Sequence, residues 1–320
     1  MRERELIEAI EGVLGPAGAE LRGDDAAVIA GNGVAVTSID TVAYGFHFRL
    51  DTHSPADAGH KALATALSDL AAMGAATGQA YVSLALPPEL GSERALELVG
   101  GLAELARETG TVVAGGDVVA AAALVVSVAV TGWADDGDLL VRRDGARVAD
   151  RVGVTGTLGG SGAGLLALGG TDAGIGDDVR TGLVERHRRP QPLLALGQAL
   201  AAAGVTAMID VSDGVATDAA HLAEKSGATV TVELGRLPLD RGVEEVARLA
   251  GRDPHEFAAT AGDDYELLFT AGADATESVE AAARDAGSSV TWIGEVSEGP
   301  AGLTLVDASG APADLAGHEH

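Results

Sequence analysis

The stretch Met208-Ile209-Asp210-Val211-Ser212-Asp213-Gly214 shows the pattern that decides the fold. A short apolar strand ends in an aspartate, and a polar turn then begins a helix that runs to about Lys225. The same order of strand, turn and helix recurs in both halves of the 320-residue chain. Such alternation predicts an α/β protein, or an α+β protein with mixed sheets. A polar, charged stretch at 138–150 predicts a boundary between two domains, residues 1–140 and 141–320.

Five further acidic motifs lie where we expect a strand or a helix to end. They are Gly23-Asp24-Asp25-Ala26, Ser38-Ile39-Asp40, Leu67-Ser68-Asp69, Gly115-Gly116-Asp117 and Gly262-Asp263-Asp264-Tyr265-Glu266-Leu267. A buried aspartate is costly unless a cation neutralises it, and the only lysines are Lys61 and Lys225. Mg²⁺ prefers carboxylate oxygens, and clustered Mg²⁺ ions indicate a polyphosphate substrate. The motifs therefore predict an enzyme that uses a magnesium nucleotide.

The first half contains one strongly marked helix. Ser54 is a good N-cap, Pro55 suits the first helical position, and apolar residues then recur with helical spacing. These apolar residues are Leu63, Leu67, Leu70 and Met73. Asp69 is at the margin of that stripe, so we expect its carboxylate to point along the edge of a sheet.

Composition excludes several classes of protein. A net charge of −27 and a pI near 4.4 argue against nucleic acids and anionic membranes as partners. The absence of cysteine excludes disulfides, zinc–thiolate sites and cysteine nucleophiles. The uncharged run 118–134 is shorter than a membrane span, and we expect a buried strand there. We expect a cytoplasmic protein, since its first residues lack the apolar core of a signal peptide.

The common nucleotide-binding signatures are missing. Neither lysine follows a glycine-rich loop, and no Gly-x-Gly-x-x-Gly begins a helix. ATP phosphates would therefore have to be held by metals, backbone N–H groups and arginine. Gly115-Gly116 and the glycines between 156 and 164 could supply such N–H groups, although each cluster could equally be a simple turn.

Taken in order, the motifs resemble those of the thiamine-monophosphate kinases, a family of the aminoimidazole ribonucleotide synthetase superfamily. Besides the acidic motifs, the resemblance includes Gly-Phe-His-Phe at 45–48, Val-Thr-Gly-Thr-Leu-Gly at 154–159 and Arg-His-Arg-Arg-Pro at 186–190. The resemblance spans nearly the whole chain. It implies two α/β domains, with the N-terminal sheets of two subunits meeting in a homodimer and ATP near the junction of the domains.

The resemblance also implies a reaction, in which ATP phosphorylates thiamine monophosphate to thiamine diphosphate by direct in-line transfer assisted by several Mg²⁺ ions. No general base is expected. The implied metal ligands are Asp25, Ser38, Asp40, Asp69, Asp117, Asp210 and Asp213, with Asp24 as an additional one. The implied ATP contacts are Gly116, Asp117, Arg143 and Ser212, and the implied substrate contacts are His47, Asp263 and Leu315.

This chain departs from the family pattern at four places. Ile39 replaces a usual Thr or Ser, Val118-Val119 replaces a pair of threonines, Asp263 replaces a glutamate, and Leu315 replaces an aromatic residue. Two alternatives therefore stay open: an ATP-using enzyme of the same superfamily with another substrate, and a non-catalytic metal-binding paralogue. Taken singly, each aspartate could also be a turn former or a helix cap.

Overall fold

The computed structural model describes residues 3–22, 27, 29–31, 33–315 and 317. The chain divides into two compact units, the first formed by 1–70 and 75–137 and the second by 71–74 and 138–320. The domain boundary after residue 140 stays a prediction. In the part of the chain that the structure describes, no helix is long and apolar enough to cross a membrane.

The first unit is a four-stranded sheet covered by helices on one face. Its elements are α1 (Glu3–Leu14), β1 (Val34–Ala43), α2 (Pro55–Ala72), β2 (Ala76–Leu86), α3 (Gly91–Thr109), β3 (Val112–Ala120) and β4 (Val125–Ala134). The strand order is β1-β4-β2-β3, and only the β2–β3 pair is parallel, because α3 provides the crossover between them. The uncharged run 118–134 thus contributes to two strands, where we expected one.

The predicted stripe on α2 is confirmed for Leu63, Leu67 and Leu70, which are fully buried. Alternate residues of β4, such as Val126 and Val128, are also fully buried and supply the core face of the sheet. The alternation follows from the period of a strand, which turns successive side chains to opposite faces. The other face of the sheet carries hydroxyl groups that pair across β1 and β4.

Two acidic motifs lie inside strands, which corrects the expectation that all of them follow strand ends. Asp40 is within β1, and Gly115-Gly116-Asp117 is within β3. Both are edge strands, where one side of the backbone is unpaired and where glycine and charged residues are tolerated. Asp69 likewise lies inside α2, three residues before its last residue, Ala72.

The second unit is a seven-stranded mixed sheet with helices packed against it. Its strands are β5 (Arg151–Thr155), β6 (Ala207–Asp210), β7 (Thr229–Glu233), β8 (Leu267–Ala271), β9 (Val290–Ser297), β10 (Gly302–Val306) and β11 (Pro312–Ala313). Its helices are α4 (Gly160–Leu168), α5 (Asp177–Arg188), α6 (Leu194–Ala203), α7 (Val215–Ser226), α8 (Val243–Leu249), α9 (Pro254–Thr260) and α10 (Thr276–Asp285). The strand order is β11-β10-β7-β9-β5-β8-β6, so the predicted α/β architecture with mixed sheets is confirmed.

A buried acid holds the first turn of α4 in the second unit. The Asp264 carboxylate accepts hydrogen bonds from the backbone N–H groups of Gly159, at 2.6 Å, and Ser161, at 3.2 Å. Burial raises the pKa of Asp264 to about 7, although Arg186 and these N–H groups act in the opposite direction. Arg186 also lies 3.2 Å from the Glu266 carboxylate, which accepts a hydrogen bond from the Thr155 hydroxyl at 2.7 Å as well.

The helices α2 and α3 pack closely enough for glycine to be required. A Cβ atom at Gly101 would overlap the backbone carbonyl of Ala56, whereas a Cβ atom at Gly100 would have no atom within 4 Å. We expect Gly101→Ala to lower the free energy of unfolding by about 1–3 kcal/mol, as overpacking does. Gly100→Ala is the matched control and should raise the free energy of unfolding by up to about 1 kcal/mol, since alanine favours a helix. Urea unfolding of both variants measures the difference, and equal effects would contradict this account of the packing.

The titration of Asp264 predicts how stability depends on pH. Because its pKa is raised from 3.8, the folded protein keeps a proton that the unfolded chain releases. The contribution of the protonated acid to the free energy of unfolding is fully present below about pH 4 and is lost as the pH rises through 7. Between pH 5 and 8 this loss is on the order of 2 kcal/mol.

The variant Asp264→Asn cannot titrate, so it provides the comparison. We expect the free energy of unfolding of this variant to be lower than that of the wild type at pH 5. At pH 8 we expect this difference to be smaller by about 2 kcal/mol. Urea unfolding at the two pH values gives both free energies. A gap that stays constant would show that Asp264 does not titrate in this range.

Candidate active site

The first group of predicted metal ligands lies where β1 meets α2. Ser38 and Asp40 are two residues apart on β1, so they lie on the same face of the sheet. Their partners on β4, Val130 and Val128, are fully buried, which identifies this face as the one covered by helices. The Ser38 hydroxyl donates a hydrogen bond to the carboxylate of Asp69 on α2. The structure therefore brings Ser38 and Asp69 into contact and places Asp40 on the same face, at the edge of the sheet.

Ile39 lies between these ligands but belongs to the opposite face. Its side chain is 70% exposed, and its neighbours Thr37 and Thr41 pair with the hydroxyls of β4 at 3.1 and 2.8 Å. A Thr or Ser at position 39 would therefore place its hydroxyl away from Ser38 and Asp40. The departure at Ile39 removes no side-chain oxygen from the face that carries these two ligands.

Gly116 and Asp117 lie at the other edge of the same sheet. Asp40 is opposite Val128, Val128 is opposite Val82, and Val82 is opposite Gly116, so one row crosses all four strands. Three strand spacings separate the ends of this row, which amounts to about 14 Å. Asp117 is in the next row, opposite Ser83, and therefore belongs to the other face of the sheet from Asp40. Within one copy of the first unit, Asp117 thus lies too far from Asp40 for both to ligate one ion.

A cavity of about 440 Å³ opens beside Gly116 and Asp117 in the first unit. Most of its lining side chains are apolar and come from α1, α3, β2 and β3, and they include Ile7, Ile10, Tyr81, Leu84, Val99 and Leu102. Arg22 also lines it and holds α1 in place, since its guanidinium contacts Glu11 at 2.7 Å and the carbonyl of Val113 at 2.7 Å. Our reading of the sequence missed this cavity, because no local motif joins its four elements.

The second group of predicted ligands lies at the end of β6. Asp210 is the last residue of that strand and is buried, and Asp213 precedes the first turn of α7. The backbone N–H of Asp213 donates to the carboxylate of Asp218, which is also buried. Burial, followed by repulsion from Asp210 and Asp213, raises the pKa of Asp218 well above its usual value. Neighbouring carboxylates of this kind suit a bound cation. The positive charge of Arg143 acts against the other causes and lowers the pKa of Asp218.

Asp218 is a residue that the sequence analysis missed. The sequence signal for Asp218 was its place in the first turn of α7, five residues after Asp213. An acid at that place can accept hydrogen bonds from N–H groups of the preceding loop. Arg143 is exposed, and its backbone carbonyl accepts a hydrogen bond from Ser226 at 2.9 Å.

The backbone of Asp263, a predicted substrate contact, is hydrogen-bonded to the loop that contains Ser212. The backbone N–H of Asp263 donates to the carbonyl of Ser212, and the N–H of Tyr265 donates to the carbonyl of Val211, each at 2.8 Å. The Tyr265 hydroxyl donates to the Asp263 carboxylate at 2.9 Å. A predicted nucleotide contact and a predicted substrate contact are therefore neighbours in the second unit.

The other predicted substrate contacts lie in separate parts of the chain. His47 is in a tight turn of the first unit, where its Nδ1 accepts the N–H of Ala43 at 3.2 Å, and Phe46 beside it is almost fully exposed. Leu315 is partly buried against the core of the second unit. Asp24 and Asp25 lie outside the described residues. Among the side chains that the structure does describe, no three His, Asp or Glu converge as a complete metal site.

Both units of this chain match known protein families. Residues 23–134 match the family model of the AIR synthase related protein N-terminal domain, and residues 147–306 match that of the C-terminal domain. The thiamine-monophosphate kinase of Mycobacterium tuberculosis is 40% identical over 248 residues, which are 77% of this chain and 73% of that protein. The enzyme of Methanopyrus kandleri is 34% identical over 93% of this chain and 90% of its own length.

Solved structures agree with the sequence relatives. The thiamine-monophosphate kinase of Stenotrophomonas maltophilia matches with a TM-score of 0.83 and 32% identity, covering 98% of each chain. The structure of AaThiL complexed with AMPPCP and TMP matches with a TM-score of 0.79 and 29% identity, covering 99% of this chain and 98% of that one. The predicted family is thereby confirmed: this chain belongs to the thiamine-monophosphate kinases, within the AIR synthase related proteins.

Proposed function

We propose that this protein is an enzyme that transfers the terminal phosphoryl group of ATP to thiamine monophosphate, yielding thiamine diphosphate and ADP. The observation that carries the proposal is the pairing of the Asp263 segment with Val211 and Ser212, since Asp263 is a proposed substrate contact and Ser212 a proposed nucleotide contact. Membership of the family and the likeness to a relative solved with AMPPCP and TMP support it.

The chemistry explains why no general base is needed. An oxygen of the substrate phosphate, already anionic at neutral pH, attacks the γ-phosphorus of ATP. The bond from that phosphorus to the bridging oxygen breaks, and ADP leaves with the electron pair. The groups that meet are both negative, so the protein's task is to position them and to neutralise their charge.

The carboxylate groups of both units suit Mg²⁺. In the first unit Ser38, Asp40 and Asp69 would hold it, and in the second Asp210 and Asp213 would do so, beside the buried Asp218. Hard oxygen donors with few competing cations are the ligand set that this ion prefers. When bound, Mg²⁺ supplies positive charge to phosphate oxygens. Asp24 and Asp25 are proposed as additional ligands on the family pattern alone.

The cavity beside β3 is a fitting place for the base and sugar of ATP. Its volume of about 440 Å³ lies within the range of small-molecule sites, and its apolar walls suit a planar base. Gly116 and Asp117, the predicted ATP contacts, border it. A Cβ atom at Gly116 would overlap the carbonyl of Val82, so the close pairing of β3 with β2 requires glycine at this position.

We also propose a homodimer formed through the open face of the four-stranded sheet. That face exposes Thr37, Ile39 and Thr41, and the side chain of Ile39 is 70% exposed. Asp40 and Asp117 lie about 14 Å apart in one copy, so a single ion site that used both would need a second copy.

The first test is ³¹P NMR of the purified protein with ATP, Mg²⁺ and thiamine monophosphate. We expect the two coupled resonances of thiamine diphosphate, with ADP in equal amount and no inorganic phosphate. Intact ATP, with a folded protein that binds Mg-ATP, would favour another substrate of the superfamily. A folded protein that does not bind ATP would favour the non-catalytic paralogue.

The variant Asp69→Asn tests the metal assignment in the same assay. The amide oxygen can still accept the Ser38 hydroxyl, but the charge is lost, so we expect turnover to fall on the order of 100-fold with the melting temperature nearly unchanged. Asp285→Asn, at an exposed position at the end of α10, removes the same charge and should leave turnover unchanged. Equal activities of the two variants would remove Asp69 from the metal site.

The variant Ile39→Lys tests the dimer. A charge on the open face should be buried against its copy at the interface, so we expect a shift from dimer to monomer in sedimentation velocity. Leu249→Lys changes an exposed apolar residue of α8 in the second unit and serves as the control. A wild-type protein that sediments as a monomer would overturn this part of the proposal.

A further inference from the structure

The segment that carries Asp263 has an unusual backbone. Among the described residues other than glycine, three have a left-handed conformation, and two of them, Asp263 at φ 66° and Tyr265 at φ 52°, flank Asp264. A left-handed conformation is uncommon for residues other than glycine, asparagine and aspartate, and for a bulky tyrosine it costs free energy. Such a conformation persists only where the surroundings hold it, and it is often found at functional sites.

Four hydrogen bonds hold this segment in place. The Asp264 carboxylate accepts two of them at the first turn of α4, and the N–H groups of Asp263 and Tyr265 donate the other two to the carbonyls of Ser212 and Val211, in the loop after β6. These contacts fix the backbone of Asp263 without using its side chain. The backbone is therefore set independently of the contact between Tyr265 and the Asp263 carboxylate.

The side chain of Asp263 is held separately, by Tyr265. The Tyr265 hydroxyl lies 2.9 Å from Oδ1 of Asp263, and the tyrosine is only 7% exposed, so its ring cannot swing away without leaving the core. An aspartate has two side-chain torsions, and a hydrogen bond to one oxygen restricts both. Asp263 itself is partly exposed, as a residue that meets a ligand must be.

We propose that Tyr265 is a positioning residue for substrate binding, whose hydroxyl orients the Asp263 carboxylate towards the amino and cationic groups of thiamine monophosphate. This inference rests on the proposed function. Asp263 is one methylene shorter than the glutamate usual in the family, so it has less freedom to reach a substrate, and its orientation matters more. The phenol supplies that orientation without adding a charge.

A double-mutant cycle tests the proposal. We expect Tyr265→Phe to raise KM for thiamine monophosphate about 5- to 10-fold, with KM for ATP and the melting temperature nearly unchanged, because only one hydrogen bond to a charged group is lost. Asp263→Gly removes the carboxylate and keeps the left-handed backbone without strain. In that background Tyr265→Phe should have no further effect on KM, since no carboxylate remains to be oriented.

Each other outcome overturns the inference. The fold-changes in KM for thiamine monophosphate of the two single variants could multiply in the double variant. That result would show that Tyr265 acts independently of Asp263, as a purely structural residue. An equal rise of KM for ATP, or no change in Tyr265→Phe, would also overturn it while leaving the proposed function intact. A wild-type protein that does not phosphorylate thiamine monophosphate would overturn both.

Discussion

The two hydrogen bonds that the Asp264 carboxylate accepts from Gly159 and Ser161 are the constraint on which the site in the second unit depends. They tie the segment before β8 to the start of α4, and the same segment pairs with Val211 and Ser212 after β6. Three loops, from distant parts of the sequence, are thus fastened at one end of the sheet. Asp263 and Ser212, the proposed substrate and nucleotide contacts, therefore keep their relative positions, because neither loop can shift alone.

Electrostatic repulsion is the second constraint. The chain carries a net charge of −27, and it gathers Asp210, Asp213 and Asp218 around one turn, where burial and mutual repulsion raise the pKa of Asp218. Arg143 acts on the pKa of Asp218 in the opposite direction. Such an arrangement is unfavourable in an empty protein and becomes favourable when divalent cations bind. Cations of this kind would make the aspartates compatible with the anionic substrates of the proposed reaction.

The sequence predicted the fold class, the α2 stripe and the family, because periodicity and motif order are local properties. It misplaced Asp40 and Asp117, since the end of a strand is decided by pairing with neighbours, and both residues lie inside edge strands. The cavity beside Gly116 depends on contacts between elements distant in sequence, so no local pattern indicates it. Asp218 did have a local signal, its place in the first turn of α7 five residues after Asp213, which the prediction did not use. The left-handed backbone at Tyr265 was also unpredictable, because its cause lies in partners more than fifty residues away.

The acidic edge strands of the first unit have a consequence for solubility. An edge strand offers unpaired N–H and C=O groups to any other extended chain, and β1 and β3 are both long enough to do so. Asp40 and Asp117 place a negative charge on each, which repels a second acidic strand that approaches in the same way. The residues proposed for phosphate chemistry thereby also protect newly made protein from strand-to-strand aggregation, and neutralising them costs the protein that protection as well as its cation ligands.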